Sequence, residues 1–192
     1  MIEAIIEAYW AFFGIGEGTG IDAAILAAIL SFLMLCALPL NCVRFFQGKI
    51  PFFLLIAHTI IALSYASTDI VMASLTSFYK NFDDTLQFVS ISLSYTILDS
   101  LTAIAVMVSS RKMNCYKSTY NKAIDLMVLI LLINGAAHFL MTAYNVVASD
   151  FSTLIAMFYS ALIVFNDALL VTVMFMPLLA NKLKPLKRFN IT

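Results

Sequence analysis

Five long apolar runs, separated by short polar stretches, divide the chain at about 21–41, 51–76, 84–108, 120–147 and 151–179. A helix needs about 20 residues to cross the hydrocarbon layer of a bilayer. The pattern therefore predicts an all-α fold: an integral membrane bundle of about five transmembrane helices. Ahead of it, Ile2, Ile5, Ile6, Tyr9, Trp10 and Phe13 recur at helical spacing, with Glu3 and Glu7 on the opposite side. At roughly 13 residues this amphipathic helix is too short to span and is expected to lie in the membrane interface. Its acidic residues stand where a secretory signal would carry Lys or Arg, so it is expected to remain on the mature protein.

Three regions follow from this pattern. Residues 1–20 hold the amphipathic helix and a Gly-rich linker, 21–180 the bundle, and 181–192 a basic tail. Local signals agree with the helix ends. Pro51 sits where a first helical turn tolerates proline, Asp83 and Ser118 can cap the third and fourth helices, and Ser149 with Asp150 makes a turn into the fifth.

Composition reinforces the reading. Hydrophobic residues make up 62% of the 192 positions and charged residues 11%, against about 45–50% and 25% in a soluble domain. That leaves too little polar surface to face water. The formal net charge of zero conceals an asymmetry along the chain. Arg44 and Lys49 lie between the first two spans, Arg111, Lys112, Lys117 and Lys122 between the third and fourth, and Lys182, Lys184, Lys187 and Arg188 after the fifth. Only Lys80 falls on the other side. The positive-inside rule then predicts an N-terminus outside and a C-terminus in the cytoplasm. Cys42 and Cys115 fall on the basic side, with Cys36 in the adjoining half of the first span, and an odd number of thiols argues against a disulfide framework. No long basic tract suits nucleic acid.

Within the spans, polar residues recur on single helix faces. The second carries His58, Tyr65 and Asp69; the third Ser92, Tyr95, Asp99 and Thr102; the fourth Asn134, His138, Thr142 and Asn145; the fifth Ser160 and Asp167, with Asn166 beside the acid. Ser64-Tyr65 followed by Asp69 matches Ser94-Tyr95 followed by Asp99, a short echo of the inverted repeats that transporters use, although six letters are within the reach of chance. Counting helical rise from the span ends brings Asp69 level with His138, and Asp99 level with Asp167 near the midplane with Asn134 close by. A carboxylate in hydrocarbon costs several kcal/mol, on the order of a strong hydrogen bond or more, unless a proton, an opposite charge or a metal ion neutralises it. No Lys or Arg lies midway along any span.

These residues point to a small transport or channel subunit. Asp69, Asp99, Asn134, His138 and Asp167 are its candidate ion-binding or proton-relay residues, supported by Tyr65, Tyr95 and Asn166. The competing reading is a non-catalytic accessory subunit in which the same polar side chains only hold helices together. Ala23, Ala27 and Ser31 recur every four residues in the first span and form a smooth packing face, within the bundle or towards a second copy or another subunit. No nucleophile motif, phosphate loop or metalloprotease spacing supports catalysis. No cofactor is expected beyond a monovalent cation or proton; a bis-histidine haem is disfavoured because His58 and His138 lie at different depths.

Overall fold

The computed structural model describes residues 23–113, 119–148 and 153–181. The N-terminal amphipathic segment, the basic tail, Ser118, Ser149, Asp150 and Cys115 lie outside these residues. Among the described residues the chain forms α1 (Ala23–Phe46), α2 (Phe52–Tyr79), α3 (Asp84–Lys112), α4 (Asn121–Val147) and α5 (Thr153–Phe175), followed by a 3-10 turn over Pro177–Asn181. It contains no strand there. Each α-helix contains a stretch long and apolar enough to cross a membrane, the arrangement of a multi-pass membrane protein.

Short connections make successive helices antiparallel neighbours, and α1 packs against α5 to close the ring. α4 is the most enclosed member. Of its apolar stretch 56% is buried, against 22 to 28% for the others, and its buried residues run from Ala123 and Met127 through Ile130, Asn134 and His138 to Met141. Gly135 allows this enclosure, since a Cβ there would stand 3.2 Å from the Ser100 Oγ and 3.5 Å from the Thr96 carbonyl oxygen on α3. Met34, Leu54, Ile61, Met127, Leu131, Leu170 and Met174 are fully buried in the common core. Large apolar side chains also face outward on every helix, among them Phe32, Ile70, Leu101, Leu140 (67% exposed) and Phe165 (65% exposed). Such a surface suits hydrocarbon and not water.

The helix ends follow local chemistry. Asp83 caps α3 as its position predicts, its Oδ1 accepting the Leu86 amide at 3.2 Å. The first span reaches Phe46, past the expected Asn41, and ends in a Schellman motif. Gly48 adopts φ +68°, its amide donates to the Phe45 carbonyl at 2.8 Å, and the Lys49 amide donates to the Arg44 carbonyl at 2.8 Å. The fifth helix stops at Phe175, before the expected Leu179, because Pro177 has no amide proton and disfavours helical backbone at Met176. At the same end Asn41 donates to the Met174 carbonyl at 3.1 Å and Arg44 to the Phe175 carbonyl at 2.7 Å, so α1 supplies partners for the final carbonyls of α5.

Candidate cation site in the bundle interior

A cavity of about 160 Å³ lies among all five helices. Its wall takes Ser31 from α1, Tyr65, Thr68 and Asp69 from α2, Tyr95 and Asp99 from α3, Asn134 and His138 from α4, and Ile163 and Asp167 from α5. No Lys or Arg is among these lining residues. Helical periodicity explains the convergence, because Tyr65 with Asp69, Tyr95 with Asp99, and Asn134 with His138 each stand four residues apart, one above the other on a single face. Both Ser-Tyr-x-x-x-Asp stretches thus bring their Tyr and Asp to the cavity.

One side of the cavity is closely hydrogen-bonded. Asp167 Oδ1 accepts the Tyr65 hydroxyl at 2.7 Å and the Asn134 amide at 2.8 Å, and the Asn134 carbonyl oxygen accepts the Asn166 amide at 2.8 Å. Asn134 and Asn166 are buried at 1% and 5% exposure. This chain ties α2, α4 and α5 together.

The other side is looser. His138 Nε2 stands 3.7 Å from Asp99 Oδ2, within reach of a charge pair but too long for a hydrogen bond. Asp99 accepts no side-chain hydrogen bond from the described residues. The imidazole itself is held firmly. The Tyr159 hydroxyl lies 2.6 Å from its Nδ1, and the Tyr95 ring stacks on it with centroids 5.1 Å apart. Its backbone carbonyl accepts both Ser92 and Thr142, each at 2.9 Å. Where the Tyr159 hydroxyl donates to Nδ1, the imidazole carries its proton on Nε2 and turns it towards Asp99.

Depth counting alone pairs His138 with Asp69; the structure gives it Asp99. Side chains lean towards the N-terminus of their own helix. In antiparallel α3 and α4 these leanings oppose each other, so Asp99 and His138 close several residues of axial offset. Asp69 lines the cavity yet is itself exposed.

Other expected residues lie elsewhere. His58 is fully buried near the basic end and does not line the cavity. Thr102 bonds Ser64 across the α2–α3 contact, while Ser160 and Asn145 bond the Ala156 and Met141 carbonyls of their own helices. Ser31 is buried and joins the cavity wall, whereas the side chains of Ala23 and Ala27 lie outside the described residues. Tyr159 and Ile163 are additions. They stand eight and four residues before Asp167 on one helix face, a spacing that picks out Tyr159 more directly than Ser160.

The three carboxylates surround the space without converging. Among the described residues no three His, Cys, Asp or Glu side chains come together as ligands of one metal ion. Cys36 and Cys42 are half-buried free thiols. Comparison with known protein families, curated proteins and solved structures finds no match.

Proposed function

We propose that the chain is a small membrane transport or channel subunit that carries a monovalent cation or a proton, with its N-terminus outside and its basic C-terminus in the cytoplasm. The observation that carries this reading is the cavity, where Asp69, Asp99 and Asp167 share one space with His138 and Asn134 and no lysine or arginine is among the described residues that line it. Carboxylates in apolar surroundings require a neutralising partner, and a cation or proton entering from water supplies one. Asp69 is the entry group, since it alone of the three acids is exposed. Asp99 and His138 hold the exchangeable charge, while Tyr65, Asn134 and Asn166 keep Asp167 in place. Tyr95 and Tyr159 orient the imidazole.

The test is flux. Liposomes containing the purified chain should dissipate an imposed proton or sodium gradient faster than empty liposomes, and flux no greater than that of the lipid alone contradicts the proposal. A structural or accessory role is the second reading, favoured by the hydrogen-bond chain through Asp167, which joins three helices whether or not anything passes. Under it the chain copurifies with fixed membrane partners or with further copies of itself and conducts nothing alone.

A further inference from the structure

The Schellman motif after α1 has an unusual pair at its closing positions. The turn brings the third residue from the helix end and the third residue beyond it side by side, where an apolar contact commonly forms. Here these residues are Arg44 and Lys49. Among the described residues neither has a carboxylate within ion-pair distance. Two cations at the ends of one turn favour an anion placed between them.

Both line a second cavity of about 270 Å³ at the basic end of the bundle, walled by Ile50, Tyr120, Phe175, Met176, Pro177 and Leu178. The site is rigidly built. The Tyr120 hydroxyl donates to the Lys49 carbonyl at 2.7 Å, fixing the turn to α4. Arg44 Nη1 donates to Asn41 Oδ1 and the Phe175 carbonyl, leaving the Nε and Nη2 donors for a ligand. Met176 and Leu178 on the same wall are exposed, so the cavity joins a cationic head to an apolar surface level with the ends of the helices. A planar guanidinium beside an ammonium matches a phosphate group, and apolar walls beside it match the start of an acyl chain.

We propose that this cavity binds the phosphate headgroup of an anionic phospholipid. The proposal needs the helices to lie in a bilayer but not the cation path, so a failure of flux leaves it standing. The full chain, purified in detergent and stripped of lipid, would be titrated with phosphatidylglycerol, phosphatidylcholine or inorganic phosphate and the adducts counted by native mass spectrometry. Phosphatidylglycerol should form one saturable adduct, preferred about tenfold over phosphatidylcholine. Lys49→Gln, whose native side chain makes no hydrogen bond among the described residues, should lower that preference about fivefold without unfolding the chain. Arg111→Gln, an exposed cation outside the cavity, should leave it unchanged. Equal binding of the two lipids, inorganic phosphate displacing phosphatidylglycerol at matched concentration, or equal losses in the Lys49 and Arg111 variants would each overturn the lipid site.

Discussion

Asp167 and Asp99 face one cavity from opposite walls and have opposite surroundings. Asp167 accepts two hydrogen bonds from side chains of α2 and α4, one of which is braced in turn by Asn166. Asp99 accepts none from the described residues and has only an imidazole at 3.7 Å. The same residue type at similar depth is thus fastened on one side and left available on the other. Availability, more than acidity, marks the group that exchanges a cation or proton. Both donors sit on Asp167 Oδ1, so only Oδ2 is left to meet a ligand, and moving the whole carboxylate towards one would break bonds that cost about 1–3 kcal/mol each.

Substitutions test this contrast, beginning on the fastened side. Asn134→Leu removes a donor to Asp167 and the acceptor of Asn166, leaving buried polar groups without partners, and should cost about 3 kcal/mol of stability. Reversible unfolding in mixed detergent measures it; a loss below about 0.5 kcal/mol would show that the chain of bonds contributes little. Gly135→Val pushes methyl groups into Ser100 and the Thr96 carbonyl and should cost about 2 kcal/mol by the same assay. Tyr65→Phe deletes one bond to Asp167 and should cost about 1 kcal/mol. Gly48→Ala meets no neighbour within 4 Å, so only its φ of +68° opposes the change, again at about 1 kcal/mol. Asp99→Asn, with no hydrogen bond to lose, should shift stability by no more than about 0.5 kcal/mol.

Hydropathy made the five helices legible, because a stretch of twenty apolar residues has few alternatives to a membrane-crossing helix. Helix ends were less so. Arg44 reads as a loop residue by polarity, yet it belongs to α1 because its guanidinium reaches the Phe175 carbonyl at 2.7 Å, a contact between residues far apart in sequence. The cavity was legible residue by residue through the four-residue spacing of Tyr65 with Asp69, Tyr95 with Asp99, and Asn134 with His138. Its pairing was not. Which acid meets His138 depends on the leaning of side chains in antiparallel helices and on how closely Gly135 lets α4 approach α3, neither of which a count of helical rise contains. Tyr159 went unread for a related reason: an aromatic residue in an apolar span looks like lipid-facing surface until its hydroxyl is seen 2.6 Å from the His138 ring.

The most direct test of the central claim is flux through Asp99→Asn in liposomes, measured beside the unchanged chain at equal protein content and with unfolding of both checked in detergent. The account predicts a variant that stays folded and loses its gradient-driven flux. A folded Asp99→Asn protein that passes cations or protons as fast as the original would contradict it.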